Sequence, residues 1–129
     1  VALSSQIGLR ETRRVYGDYR VTREDVLAAR QFDDQVGLCG APIEDHHGGE
    51  GTGTTWEYLP DGQEVGIPLR ALVARDAAHT LMAGRCFSMG QAAGTAAAMA
   101  SAGTADVRDI DFSALRSRLT ESGAILELA

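Results

Sequence analysis

Leu81 to Ala102 reads LMAGRCFSMGQAAGTAAAMASA, and the fold turns on this stretch. Leu81-Met82-Ala83 has the apolar character of a short buried strand that stops at Gly84-Arg85, and Gly90 to Ala102 has the composition of a helix almost without bulk. A strand, a glycine at its C-terminal edge and a helix of small residues together suit a dinucleotide. The glycine lets backbone approach the ligand, and the helix N-H groups and dipole favour its negative groups. The competing reading is plain helix packing, since Gly90 and Gly94 make a GxxxG with Ala flanks that lets any backbone approach closely.

The bulk properties agree with a chain that needs a neighbour. Its 129 residues suffice for one domain, which would bury roughly two thirds of the surface exposed on unfolding. The core would be thin, because 20 residues are Ala while Leu, Ile, Val and Phe together number 28. Such side chains favour close packing against a partner or ligand over an independent interior.

The net charge of -6 excludes a nucleic-acid partner, because a phosphate backbone rewards clustered cations and the longest basic tract here is Arg13-Arg14. Cys39 and Cys86 lack CxxC spacing, which fits buried thiols in a reducing, cytoplasmic setting and offers neither a disulfide framework nor a metal site. The first residues, Val1 to Ser5, show no basic region followed by an apolar run, so no signal peptide is expected, and the start without Met suits a fragment or a processed chain. Cys86 to Ala105 is uncharged for 20 residues, the length of a membrane span, yet Phe87, Met89 and Met99 are its only large apolar side chains. No membrane partner is expected of it.

Outward from the central stretch, Arg14 to Val21 alternates as a half-buried strand, with Val15, Gly17, Tyr19 and Val21 on one face. Thr22-Arg23-Glu24-Asp25 has the form of a capping box and predicts a helix to about Phe32. Cys39 to Gly62 is dense in Gly, Thr, Asp and His without periodicity, and reads as a long loop anchored by Trp56. Glu64 to Leu72 reads as an edge strand, because Pro68 removes a ladder donor. Asp111 is the expected N-cap of a helix with Phe112, Leu115 and Leu119 on one stripe, ended by Gly123 in a left-handed turn and followed by an apolar tail, Ile125, Leu126 and Leu128.

The strings IGLRETRRVYGDYRVTREDVLAARQFDD, VGIPLRALVA, LMAGRCFS, MGQAAGTAAAMA and DIDFSALRSRLTESGAIL resemble, in order and spacing, the C-terminal half of the FAD-dependent oxidoreductase family. RETRRVYGDY and GQAAGTAAA carry most of the resemblance. It implies an α+β chain: residues 1-74 as part of a β-rich substrate domain, and residues 75-129 as the strand and helices that complete an α/β FAD-binding domain. Activity would be hydride transfer between a small organic substrate and flavin. Gly84, Arg85, Cys86 and Gln91 match the flavin-side positions.

Two departures accompany the resemblance. The family's opening GxGxxG is absent, and Gly48-Gly49-Glu50-Gly51-Thr52-Gly53 lacks both its spacing and a flanking apolar strand, so FAD held by this chain alone is not expected. Between Ser88 and Met89 similar proteins carry further residues rich in His and Arg, which this sequence omits. Arg85 is also a variant, since related flavoproteins outside the subgroup that this sequence resembles often have an acidic residue after the glycine of the last strand.

Arg10, Arg13 and Arg14 are candidates for an anionic-substrate or flavin-charge site, because a guanidinium grips carboxylate in a bidentate fork and stabilises an anionic reduced flavin. The alternative is salt bridging to Glu11 and Asp18. Glu44, Asp45, His46 and His47 have the residue types of a metal site or a general base, but neighbours in a chain point apart, and a polar loop is the simpler account. By the resemblance, His46 falls where a substrate-side His stands, and Arg70 matches an Arg of the family, with Leu69 in place of a commoner aromatic. No nucleophile sits in a GxSxG elbow, so hydrolysis is not supported. The reading from a different class is a non-catalytic interaction module, folded alone, as a homo-oligomer or with a complementary chain.

Overall fold

The computed structural model describes residues 15–46, 53–84, 87–103 and 105–128, with His46 through its backbone only. The elements run α1 (Arg23–Leu27), β1 (Gln35–Cys39), β2 (Ile43–His46), β3 (Thr54–Glu57), β4 (Val65–Pro68), α2 (Leu69–Leu72), α3 (Phe87–Gly103) and α4 (Phe112–Glu121). The strands form two antiparallel pairs, β1 with β4 and β2 with β3. The class is α+β, as the sequence implied.

The capping box forms: Thr22 Oγ1 accepts from Asp25 N, and the Asp25 carboxylate accepts from Thr22 N at 2.9 Å. The helix it starts is shorter than expected. α1 ends at Leu27, and Ala29 adopts φ 46°, a left-handed conformation that a helix cannot continue through. Arg14 to Val21 is also corrected. From Gly17 onward its alternation survives in burial, with Gly17, Tyr19 and Val21 partly covered, but Val15 is exposed, and among the described residues its pairing reduces to a single bridge from Gly17 to Ala74.

The supposed loop from Cys39 to Gly62 contains the β2–β3 hairpin, in which Glu44 faces Trp56 and His46 faces Thr54. Trp56 is no anchor, being 48 % exposed. The Arg23 guanidinium ties the hairpin to α1 through both oxygens of Glu57. The edge strand ends at Pro68, and Leu69–Leu72 turns into α2; in a sheet of two strands each has an unpaired edge, which tolerates that proline. Leu81 to Ala83 is not a buried strand but one bridge, Val73 to Leu81, with Met82 N donating to Leu72 O.

α3 lies across β1, α2 and α4. Its Ala92 and Ala96 join Val36, Ile67, Leu72, Leu115, Leu119 and Leu126 in one core, and Ala100 joins a smaller cluster with Val73 and Val107. α4 follows its predicted pattern closely: Leu115 and Leu119 are buried, Phe112 packs beside them, and Gly123 takes φ 83°. Of the apolar tail only Leu126 is buried, while Ile125 and Leu128 stay exposed. The Asp111 carboxylate caps α4 by accepting from Ser113 N at 2.8 Å and Ala114 N at 3.2 Å. Asp111→Ala is expected to cost about 1 kcal/mol, read as a lowered urea midpoint with an unchanged slope.

Among the described residues no helix is long and apolar enough to cross a membrane.

Candidate functional site

α3 is a helix because Ala dominates its interior, and its two faces differ in what covers them. Ala92, Ala93, Ala96 and Ala100 turn inward, while Gly90, Gln91, Gly94, Ala97, Ala98 and Ser101 are exposed. A methyl group added at Gly90 or Gly94 would meet nothing within 4 Å. Phe87, at the head of the helix, is 99 % exposed. The result is a strip of accessible backbone bearing one amide and one aromatic ring, with no charged residue from Phe87 to Gly103.

Gly84 and Gln91 are the flavin-side candidates within the described residues; Arg85 and Cys86 lie outside them. Gly84 has a packing role of its own: a Cβ there would stand 2.6 Å from Met89 Sδ, so the absent side chain lets the extended segment close on the first turn of α3. Ser88 and Met89 are consecutive in that turn.

These residues do not fit a whole dinucleotide. Among the described residues both sheets are antiparallel, no parallel strand leads through a glycine-rich turn into a helix, and no cation stands on the open strip to meet a pyrophosphate. What they offer is one wall.

Arg70, the substrate-side candidate, sits in a different cluster. Its backbone N–H donates to Asp34 Oδ2 at 3.0 Å, which fixes α2 against the start of β1. Its guanidinium lies 3.1 Å from Asp34 Oδ1 and 3.3 Å from Asp33 Oδ1, and it stacks 5.1 Å from the Tyr19 ring and 5.6 Å from that of Phe32. The Asp34 Oδ1 contact is one of charge rather than an aligned hydrogen bond. Arg70 therefore braces this corner of the molecule while its side chain stays 38 % exposed.

Sequence reasoning missed the rest of that cluster. Tyr19 meets Phe32 edge to face at 5.4 Å, and Arg30 lies 5.0 Å over Phe32. Beneath them the buried Asp25 accepts from Tyr19 Oη at 2.7 Å and Arg30 Nη1 at 2.8 Å, besides Thr22 N. Burial favours the protonated acid, but the Thr22 N–H, the Tyr19 hydroxyl, the Arg30 guanidinium and the Thr22 hydroxyl outweigh it and hold Asp25 well below the usual carboxylate range. The same hydrogen bond to Asp25, followed by burial, raises Tyr19 above the ordinary phenol range, so its hydroxyl remains a donor. The one local signal was the capping box, which marked Asp25.

A second missed group joins three segments. His79, at φ 53°, places Nδ1 3.3 Å from Asp106 Oδ2, and Arg108 reaches Asp18 Oδ2 at 3.2 Å as well as the Ala74 carbonyl. Asp106 is held below its ordinary value chiefly by the Arg108 N–H, with burial opposing and the His79 N–H assisting. Asp18, a suggested partner for the arginines near the start of the chain, thus receives Arg108.

Arg10, Arg13, Arg14 and His47 lie outside the described residues, as does the Gly48 to Thr52 stretch. In β2 the neighbouring Glu44 and Asp45 fall on opposite faces of the strand, which separates the two carboxylates. Among the described residues no group of three His, Cys, Asp or Glu side chains is placed to hold a metal ion.

The family model described as FAD dependent oxidoreductase matches residues 1–89. That span includes Arg10, Arg14, His46, Arg70, Gly84, Arg85 and Cys86, and it stops at Met89, before Gln91 and most of α3. No curated protein and no solved structure matches the chain. With the match covering well over half of its length, the chain belongs to the FAD dependent oxidoreductase family.

Proposed function

We propose that this chain is the C-terminal part of an FAD-dependent oxidoreductase that moves a hydride between a small organic substrate and flavin. The family match over residues 1–89 carries the reading. The flavin, when bound, supplies the redox chemistry, and the protein's part is to hold and orient it. Residues 1-74 belong to the substrate domain, with Arg10, Arg14, His46 and Arg70 as its candidates. Residues 75-129 complete the FAD-binding domain, with Gly84, Arg85, Cys86 and Gln91 on the cofactor side.

The open strip of α3 supports this division of labour. A helix with Gly90 and Gly94 facing empty space and Phe87 fully exposed is built to have something laid against it. In this reading that is the nucleotide or the sheet that carries it, supplied by a complementary chain or a second copy in a cytoplasmic setting. The two parts share one core, since Val36, Ile67 and Leu72 pack with Ala92, Ala96 and Leu115.

The incomplete dinucleotide wall favours a second reading, a non-catalytic interaction module without bound cofactor. Visible absorption of the purified chain, followed by FAD titration against melting temperature, separates the two. Flavin binding predicts a yellow preparation or a rising Tm, because a ligand at about a hundred times its Kd adds about 2.7 kcal/mol of stability. A colourless protein whose Tm does not move, and which binds an apolar dye, supports the module instead.

A further inference from the structure

The segment Val15–Val21 builds a second feature, on a different part of the molecule from the α3 strip. With Ala71, every residue of this segment except Asp18 lines a groove of about 380 Å³. That volume lies within the range of small-molecule sites. Val15 and Tyr16 are exposed there, Tyr16 by 62 %, and Val21 and Ala71 add apolar wall. Exposed apolar surface gathered in a concavity is what a small-molecule site offers.

The walls are held before any ligand arrives. Gly17 lies so close to α2 that a Cβ would stand 2.6 Å from Ala71 O. Asp18 N donates to Val73 O, Tyr19 N to Arg70 O and Arg75 N to Tyr16 O, each at 3.0 Å or less. Tyr19 is fixed from behind by Asp25 and the Arg70 guanidinium. A preformed groove saves the entropy of ordering on binding.

Its charge comes from Arg20. Arg23, Arg30, Arg70, Arg108 and Arg116 all pair with carboxylates; Arg20, like Arg75 and Arg118, has no such partner among the described residues, and of these three Arg20 lines the groove. An unpaired guanidinium on an apolar, aromatic groove selects an anion with an apolar body, because the fork binds carboxylate and the ring faces accept a flat hydrocarbon. A compact inorganic anion would gain nothing from those walls. The hollow around Gln31, Gln35 and Glu127 is of similar size, but its polar groups are engaged with the Glu64 carbonyl, the Leu126 carbonyl and Arg116.

We propose that the groove formed by Val15–Val21 and Ala71 is a binding site for a small aromatic carboxylate, its anionic group on Arg20 and its ring against Tyr16. The inference does not depend on flavin, and its test uses none, so either can fail without the other. The full chain is titrated with benzoate, with benzyl alcohol and inorganic phosphate as comparators, while amide chemical shifts are followed. Saturable shifts confined to Val15–Val21 and Ala71, weakened about tenfold by Arg20→Gln, are expected. Tyr16→Ala weakens binding as well, and both variants keep the parent melting temperature, because these side chains are exposed. Equal binding of benzyl alcohol or phosphate, shifts centred elsewhere, no saturable binding, or binding indifferent to Arg20→Gln would each overturn the proposal.

Discussion

Leu115→Ala is expected to lower the stability of the chain by about 3 kcal/mol, because it deletes a fully buried side chain and leaves a cavity that its surroundings cannot close. Leu115 is 0 % exposed and stands between α4 and the face of α3 that carries Ala92 and Ala96. Alanines already in their only rotamer have no atoms to move into the gap. The core depends on a few large residues, chiefly Leu72, Leu115 and Leu119, so each matters more than it would in a thicker interior. Urea unfolding followed by circular dichroism measures the loss, and Leu115→Met, which keeps the volume, should cost less than about 1.5 kcal/mol. A loss below about 1 kcal/mol for the alanine variant would mean that α4 is not docked as described.

Asp25→Asn is expected to cost about 2 kcal/mol at neutral pH, since it removes the charge from three hydrogen bonds at a buried carboxylate. The pH dependence gives the sharper check. The folded-state pKa of Asp25 is depressed from 3.8, so its contribution is fully present above the unfolded value and fades as pH falls below it. The gap in stability between parent and variant should stay level from neutral pH down to about pH 5 and narrow below about pH 4. A gap that widens in acid would contradict the assigned hydrogen bonds.

Much of the helical content was legible because it rests on local chemistry. Thr22 with Asp25, Asp111 with its two N–H donors, Gly123 and the alanine run of α3 each act within a few residues. The strands were harder to read. β2 and β3 are four residues each in a region rich in Gly and Thr, where no alternation of apolar residues marks them, and β3 leaves even Trp56 exposed. At Val15–Val21 the alternation was real but reports burial rather than pairing, which is why it predicted a strand where only a bridge exists.

The candidate sites divide along the same line. Gly84 and the run that holds Gln91 could be picked out from a local motif; in the chain Gly84 precedes α3 and Gln91 lies in its second turn. Arg70 was found by resemblance, but its commitment to Asp33, Asp34 and two aromatic rings depends on contacts across more than thirty positions, which leave no local trace. The same holds for Arg108 with Asp18, 90 positions apart. That Arg20 lacks a carboxylate partner among the described residues depends likewise on where distant acids fold, and no local pattern announces it.

The buried Gln35 amide donates to the Leu126 carbonyl, a link between residues 91 positions apart. During synthesis β1 therefore leaves the ribosome long before the group that satisfies it has been translated. Val36 and Ile67 wait with it, since Leu115, Leu119 and Leu126 complete their side of the interior. Pairings this distant in sequence form late and slowly, so β1 and its neighbours keep apolar surface open to chaperones until Leu126 has emerged.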